Sequence, residues 1–311
     1  MQRTKPTQGE DRKMKKIISK YEGCEKSDVV FLRREYGGMS NMSYIYKTNK
    51  KMYTLHVTSQ LGLRFIDRKK EYEIVKTLEG KGIMQNVVFF NPKNPKFRVF
   101  EYIDGDVLDR TRPYMEVKGV AKTLHKLHSL PLFPFDYKPF DYLVINEASV
   151  KRDLSMDFYK VKDILYEYKK ELEERPLCPC HCDSQPANMV KRYSDGKVIL
   201  LDFEYAGNND YLYDIAGFGN DNFVNALALL REYNPKYTKN DLRYLFLWKI
   251  FICLQWYLVA LKKQEMRVGR ILHYNFDDVA DYFLSQALPL AEAVKNDTIV
   301  EYMKEQLKTL E

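Results

Sequence analysis

The chain has 311 residues, enough to bury a large core and to form two lobes or two domains. Hydrophobic residues make up 45% and charged residues 30%, which is typical of a globular protein. The net charge is +7, and residues 1–16 contribute +4 of it, with six Lys or Arg against two acids. The remaining +3 does not indicate a dedicated nucleic-acid-binding protein, although it suits an enzyme that handles nucleotides.

A polar segment at residues 1–13 and an apolar segment at 244–261 lead to two further expectations. Residues 1–13 have no apolar segment of the secretory type, so we expect a disordered tail or an appended extension there. The apolar segment 244–261 carries Lys249 and Gln255 and is short for a membrane span, which predicts a buried helix and no membrane insertion. The odd count of five Cys favours a reducing, cytoplasmic location. The oligomeric state stays open.

The order of predicted elements changes character near residue 105. Strands are expected at 29–35, 43–47, 52–57, 87–90 and 98–103, with a helix between Asp67 and Gly80. Beyond residue 105 the apolar residues recur at helical spacing. The sequence therefore predicts an α+β fold with an antiparallel-sheet lobe at 14–105, a hinge at 101–105 and a helical lobe at 106–311. This is the outline of the bilobal protein-kinase-like fold.

The strongest chemical signal is a set of oxygen-bearing side chains around one predicted hairpin. Asp183 and Asn188 precede the hairpin, and Asp202 ends it. A two-residue Asp-Gly turn at 195–196 would place Asn188 and Asp202 side by side at its open end. Hard oxygen ligands of this kind suit Mg²⁺. Phosphoryl transfer requires such a metal together with a carboxylate that orients the attacking hydroxyl.

These residues also carry a family resemblance. His181-x-Asp183-x4-Asn188, followed by Leu201-Asp202-Phe203-Glu204, resembles the signature of aminoglycoside phosphotransferases and choline/ethanolamine kinases. The continuation Asn209-Asp210-x3-Asp214 resembles the choline kinase branch, and the resemblance extends over most of residues 35–285. The resemblance implies that Asp183 is the catalytic base and that Asn188 and Asp202 are the two Mg²⁺ ligands. It also implies that Glu204 is a substrate-binding acid and that His181 and Asp214 are structural residues.

The same resemblance implies an ATP site in the first lobe. Gly38, Ser40 and Asn41 match the loop that covers the phosphates, and Glu71 matches the helix glutamate. Glu101 and Tyr102 match the hinge. His56 stands where the family places Lys or Arg on the third strand, and at neutral pH it carries at most part of a positive charge. A neighbouring cation such as Arg64 could replace it. Impaired catalysis, or a pseudokinase that binds nucleotide without phosphate transfer, are the alternatives.

For the acceptor, the resemblance implies choline held by aromatic faces and an acid. The residues are Asp221, Trp248, Phe251 in place of a second Trp, and Tyr274. The sequence thus predicts an ATP- and Mg²⁺-dependent choline kinase that produces phosphocholine. Ethanolamine, another small alcohol or an aminoglycoside is the alternative acceptor.

A zinc site is considered and set aside. Cys178, Cys180 and Cys182 alternate along the chain beside His181, and we expect them to point to opposite sides of an extended strand. No second Cys pair is present to complete the four ligands of a structural zinc. The sequence therefore predicts no zinc.

Overall fold

The computed structural model of the protein describes residues 4–35, 41–58, 66–94, 96–267 and 275–310. The chain divides into two compact units. Unit 1 comprises residues 1–106 and 190–205, and unit 2 comprises residues 107–189 and 206–311. The chain first passes from unit 1 to unit 2 between residues 106 and 107, one residue beyond the predicted boundary at 105/106. The prediction misses that residues 190–205 return to unit 1.

Unit 1 is built on a five-stranded antiparallel sheet with the strand order β1-β2-β3-β5-β4. Two helices accompany the sheet, and residues 190–205 add a hairpin. The elements are α1 (Gln8–Glu22), β1 (Val30–Glu35), β2 (Asn41–Lys47), β3 (Met52–Thr58), α2 (Arg68–Leu78), β4 (Val87–Phe90), β5 (Phe97–Glu101), β6 (Gly105–Val107), β8 (Met189–Arg192) and β9 (Val198–Leu200). The antiparallel sheet of the first lobe is thus confirmed.

Helix α1 corrects the prediction of a disordered tail at 1–13. Thr7 caps the helix, and the Glu10 side chain accepts the Thr7 N–H in return, which completes a capping box. Met14 and Ile18 are buried in the unit 1 core among residues of β2, β3 and β5. The charged composition of the segment concealed this amphipathic helix, because only one apolar stripe of it faces the sheet.

The strand period fixes which residues lie on each face of the sheet. Leu55 and Val57 of β3 and Val99 of β5 pack in the core with α1. Since successive side chains of a strand point to opposite faces, His56 and Arg98 lie on the other face. These two residues are direct partners in the antiparallel β3–β5 pairing.

The hairpin of unit 1 differs from the predicted register. Its turn is longer than two residues, because the Arg192 N–H donates to Lys197 O and the Gly196 N–H donates to Arg192 O. Gly196 adopts a left-handed conformation with φ +68° and closes the loop. The strands β8 and β9 therefore do not pair about the 195–196 position.

Unit 2 is mainly helical, as predicted. Its small sheet pairs β7 (Cys178–Cys180) with β10 (Gly207–Asn209). The helices are α3 (Val117–His128), α4 (Pro139–Ser149), α5 (Met156–Glu167), α6 (Lys169–Glu173), α7 (Tyr211–Phe218), α8 (Phe223–Tyr233), α9 (Lys239–Glu265), α10 (Phe276–Lys295) and α11 (Ile299–Leu307). An α+β fold with a sheet-based first part and a helical second part is confirmed.

The longest helix, α9, contains the apolar segment 244–261. By length and composition alone it could cross a membrane, but 78% of its apolar window is buried inside the protein. Lys249, within that window, is fully buried and donates to the carbonyl of Asn220. These features are those of the predicted core helix.

Candidate active site

In unit 2, a buried carboxylate fixes the loop that carries Asp183. Asp214 of α7 is fully buried and accepts the backbone N–H groups of His181 and Cys182, at 2.8 Å each. It also accepts the His128 Nε2–H at 3.0 Å. The predicted structural role of Asp214 therefore has a geometric basis: its two oxygens hold the backbone immediately before Asp183.

The electrostatics of Asp214 follow from these donors. Burial would raise the pKa of this carboxyl, but the hydrogen bonds from His128 and from the His181 N–H outweigh it and hold the pKa below its usual value. A buried carboxylate with three N–H donors thus stays ionised and resists reorientation. Cys182, with φ +61°, turns the chain sharply at the point where Asp214 holds it.

Two side-chain amides orient the Asp183 carboxylate. Asn188 Nδ2 donates to the Asp183 carbonyl and to its Oδ2, both at 2.8 Å, and Gln185 Nε2 donates to Oδ1 at 3.1 Å. His181 Nδ1 accepts the Asp183 N–H at 3.2 Å. The structure therefore brings together Asp183, Asn188 and His181, and leaves Asn188 Oδ1 as the amide atom with which a cation could be bound.

In unit 1, a second group of charges forms what we call the Glu71 cluster. Glu71 of α2 is buried and contacts Arg98 of β5 through Oε1 and Arg68 through Oε2, the latter at 2.5 Å. Arg98 Nη1 also lies 3.5 Å from Asp202 Oδ1, and Arg68 Nη1 lies 3.2 Å from Glu204 Oε2. The predicted helix glutamate thus has its cationic partner, but that partner is on β5.

The acids at the end of β9 are held in a defined geometry. Asp202 has φ +59°, a left-handed conformation that is uncommon for a residue with a side chain, and its side chain is 31% exposed. Burial, followed by the charge of Asp202, raises the pKa of Glu204 to about 8. Asp202 therefore presents a carboxylate oxygen of the type that Mg²⁺ prefers, while Glu204 binds Arg68.

His56 does not take the position of the missing strand cation. Its Nδ1 lies 2.9 Å from Ser43 Oγ, and its ring packs edge-to-face on Phe100. Burial, followed by the charge of Arg98, lowers the pKa of His56 to about 4. A neutral imidazole results at physiological pH. Position 56 therefore supplies no cation to the sheet, and Arg98 lies directly opposite it.

The hinge residues are engaged in the sheet. The Glu101 N–H donates to Asn86 O, and the Tyr102 N–H donates to Met52 O, at 2.9 Å each. The Glu101 side chain binds Lys51 and Asn86. Burial would raise the pKa of Glu101, but these hydrogen bonds outweigh it and the pKa lies below its usual value. Both predicted hinge residues therefore have structural contacts of their own.

The predicted aromatic walls lie in the core of unit 2. Trp248 is 1% exposed and Phe251 is fully buried. They contact each other and pack against Phe140 and Tyr213. Neither ring leaves a face open, so an exposed cage built from them is contradicted by the structure. The physical reason is that α9 has apolar residues on all sides, so the sequence does not show which way Trp248 and Phe251 point.

Asp221 occupies another environment. Its carbonyl accepts a hydrogen bond from the Tyr282 hydroxyl, and its charge interacts with Lys249.

The aromatic groups that sequence reasoning missed are Tyr137, Tyr142 and Tyr213. Tyr137 stacks on Tyr142 with ring centroids 5.0 Å apart, and Tyr213 meets Tyr137 at 5.4 Å. Burial and then Tyr137 raise the pKa of Tyr213, with a smaller contribution from the charge of Asp183.

The cysteine geometry corrects a second expectation. Cys178 Sγ and Cys180 Sγ lie 3.6 Å apart, on the same side of β7. Residues two apart on a strand share a face, so the expectation that they point to opposite sides is wrong. His128 lies within reach of both sulfurs, but Asp214 and the Tyr233 hydroxyl already engage its two ring nitrogens.

Several predicted residues cannot be placed. Gly38, Ser40, Arg64 and Tyr274 lie outside the described residues. Asn41 begins β2, where its backbone pairs with Thr58.

Comparison with solved structures finds the same fold in choline kinases of known structure. The choline kinase LicA from Streptococcus pneumoniae superposes with a TM-score of 0.72 at 22% identity, over 90% of this chain and 99% of that one. A structure of LicA in complex with AMP gives a TM-score of 0.71 at 21% identity, over the same shares of the two chains. At these identities the likeness establishes the fold.

The chain belongs to the choline/ethanolamine kinase family, whose sequence profile matches residues 32–263. Protein LicA of Haemophilus influenzae is 24% identical over 193 residues, which are 58% of this chain and 55% of LicA. Ethanolamine kinase 2 of Mus musculus is 27% identical over 136 residues, which are 39% of this chain and 35% of the mouse protein. The chain thus matches about half or less of the length of these curated relatives.

Proposed function

We propose that the protein is an ATP- and Mg²⁺-dependent kinase that transfers the γ-phosphate to the hydroxyl of a small amino alcohol, with choline as the favoured acceptor. The observation that carries the proposal is the Asp183 carboxylate, which two amides orient on a loop fixed by buried Asp214. A general base in phosphoryl transfer must be held so that it meets the acceptor hydroxyl, and this arrangement does so before any ligand binds.

The chemical step assigns one role to each residue. The acceptor hydroxyl gives its proton to Asp183 as its oxygen forms a bond to the γ-phosphorus, and the bond from that phosphorus to the β–γ bridging oxygen of ATP breaks to release ADP. Asn188 Oδ1 in unit 2 and Asp202 in unit 1 are both hard oxygen donors, and we assign each of them as a ligand for Mg²⁺. When bound, the ion would neutralise charge on the transferred phosphoryl group. Asn188 also donates to Asp183, which links the metal ligand to the base.

The hinge would take the adenine edge by its backbone. The N–H groups of Glu101 and Tyr102 are used within the sheet. The Ile103 N–H, for which the described part of the chain offers no partner, is therefore the hinge donor that we assign to the nucleotide base. This shifts the predicted contact by one or two residues along 101–105.

The acceptor would lie beside Asp183, near the tyrosines of unit 2. Tyrosine rings bind quaternary ammonium groups through their faces, whereas a primary ammonium requires hydrogen-bond acceptors. Tyr142 is half-buried and stacks on Tyr137, so its ring takes the place of the predicted Trp248 and Phe251. Tyr137 and Tyr213 are each 3% exposed and support Tyr142 from the core. The names of the relatives support choline and ethanolamine alike. The tyrosine cluster favours choline. We propose a cytoplasmic location, with no binding of nucleic acid and no membrane insertion.

The test is ADP release with choline, ethanolamine and an aminoglycoside side by side, with ATP and Mg²⁺, and phosphorus NMR of the product. We expect turnover with choline and a loss of at least ~100-fold in kcat for Asp183→Asn, because general base catalysis contributes about that much or more. The KM for ATP should change less than about threefold.

A matched control is Asp195→Asn. Asp195 is a surface acid of the hairpin turn, paired with Arg192 and Lys197, and has no role in the proposed chemistry. Turnover with ethanolamine alone would keep the kinase and refute the choline assignment. Unchanged kcat in Asp183→Asn would refute the assigned base. ATP binding without transfer to any alcohol would favour the pseudokinase.

A further inference from the structure

The face of the unit 1 sheet opposite α1 carries the buried cation Arg98 on β5. Arg98 lies beside position 56 on β3, where the family has Lys or Arg and this chain has His. His56 on β3 and Arg98 on β5 are direct cross-strand partners, so their side chains leave the sheet next to each other. Arg98 is 1% exposed, and His56 is half-buried. The positive charge that position 56 lacks is thus supplied by Arg98 on the neighbouring strand β5, directly across from His56.

Arg98 makes the contacts that identify such a cation. Its Nη1 pairs with Glu71 of α2 and lies 3.5 Å from Asp202. His56 is turned to Ser43 and Phe100, and no contact joins it to Glu71 within the described ranges. The other nearby cation, Arg68, uses its Nη1 to bind both Glu71 and Glu204. Arg98 therefore connects Glu71 with Asp202, whereas Arg68 connects Glu71 with Glu204.

Two nitrogens of the Arg98 guanidinium lack hydrogen-bond partners among the described residues. These are Nε and Nη2, and both are buried. Arg98 lines a small cavity of unit 1 together with His56, Gln85, Phe100 and Asp202. Buried N–H donors without acceptors are costly, and the two edges of a guanidinium match the oxygens of a phosphate. The cavity has a volume of about 10 Å³ and is also lined by Glu71, so it has room for about one oxygen atom. A single phosphate oxygen that entered it would satisfy the two nitrogens.

We propose that Arg98, supplied from β5, is the residue that binds the phosphates of the nucleotide, and that it replaces a β3 cation at position 56. This inference rests on the proposed function as an ATP-dependent kinase. It deepens that function by naming a phosphate ligand outside the family pattern. The neutrality of His56 fits the arrangement, because a second cation directly opposite Arg98 would repel it.

The experiment separates phosphate contacts from base contacts. Dissociation constants of ADP and adenosine are measured by calorimetry, and kcat and KM for ATP by ADP release, for wild type, Arg98→Met, His56→Gln and the double variant His56→Lys/Arg98→Met. We expect Arg98→Met to weaken ADP at least tenfold and adenosine less than twofold, and to lower kcat/KM for ATP at least 100-fold. The double variant should regain at least tenfold in kcat/KM, because its Lys returns a cation to the same face.

The matched control is Arg192→Met, which removes a half-buried Arg of unit 1 that pairs with Asp195. ADP affinity within twofold of wild type in Arg98→Met overturns the inference, as does an equal loss in His56→Gln. If Arg98→Met does not fold, Arg98→Lys and the double variant decide. Each keeps a cation beside Glu71, and an equal loss of ADP and adenosine affinity in both would refute the assignment.

The two hypotheses fail in different ways. If wild type binds ADP through Arg98 but transfers phosphate to no alcohol, the proposed function fails and the assignment of Arg98 stands. If Arg98→Met transfers phosphate as wild type does, the kinase stands and Arg98 is only structural.

Discussion

Replacing Asp214 by Asn tests the geometry that positions the catalytic loop. The carboxylate accepts two backbone N–H groups and one imidazole N–H, on two oxygens. An Asn side chain has one oxygen. Whichever way the amide is turned, its NH₂ group faces the N–H of His181 or of Cys182, and that buried backbone donor is left without an acceptor.

The magnitude follows from the number of bonds affected. An orphaned buried N–H costs about 1–3 kcal/mol, and hydrogen bonds to a charged group are stronger than neutral ones by about 1 kcal/mol each. One donor lost and two bonds weakened give a destabilisation of roughly 3–5 kcal/mol. At about 2 °C per kcal/mol for a chain of this size, the melting temperature should fall by roughly 6–10 °C.

The assay combines thermal unfolding by circular dichroism with kinetics at a temperature where Asp214→Asn remains folded. We expect kcat to fall by roughly 10–100-fold, since a small misplacement of Asp183 is costly, while the KM for ATP changes less than about threefold. The matched control, Asp241→Asn, alters the exposed capping box of α9 and should cost about 1 kcal/mol without a kinetic effect. A melting temperature within 2 °C of wild type in Asp214→Asn would refute this account of the loop.

Two further predictions concern His56 and Trp248. The folded-state pKa of His56, about 4, lies below the unfolded value of 6.5, so its contribution to stability is full above pH 6.5 and is lost as the pH falls toward 4. Urea unfolding should show about 1 kcal/mol of this loss between pH 7 and 5.5, and an unchanged pH slope in His56→Gln would contradict it. Trp248→Phe removes the Nε1–H bond to Asp210 and should destabilise the protein by about 2 kcal/mol. A change of the choline KM larger than threefold would instead return Trp248 to the acceptor site.

Local patterns predicted much of the fold. The Asp67 cap, the end of α2 before Gly80 and the β4 strand at Val87–Phe90 occur as expected, because each depends on residues adjacent in sequence. The register of the hairpin failed for the opposite reason. Asp195-Gly196 is compatible with a two-residue turn and with a longer one, and only the Gly196 N–H to Arg192 O bond of the folded protein distinguishes them.

The loop around Asp183 was predictable as a motif, although its support was not. His181, Asp183 and Asn188 form a short pattern, and the structure brings them into contact. The His128 contact to Asp214 joins residues 86 positions apart, and no local rule finds it. The aromatic walls failed because a helix with apolar residues on all sides gives no direction, and Trp248 and Phe251 turn to the core.

For Arg98, the family pattern and the physical requirements of the site lead to different conclusions. The pattern assigns a role to a position, and position 56 holds His, so the site seemed to lack its cation. The physical requirement concerns only a positive charge on one face of the sheet beside Glu71, and β5 meets it because Arg98 pairs in register with His56. The signal was present in Phe97-Arg98-Val99, a charged residue between two apolar ones on a strand, which places the charge on the face away from the core. A buried Arg with a carboxylate on one side and two unsatisfied nitrogens on the other is stable only with an acceptor nearby, and a phosphate would meet that need.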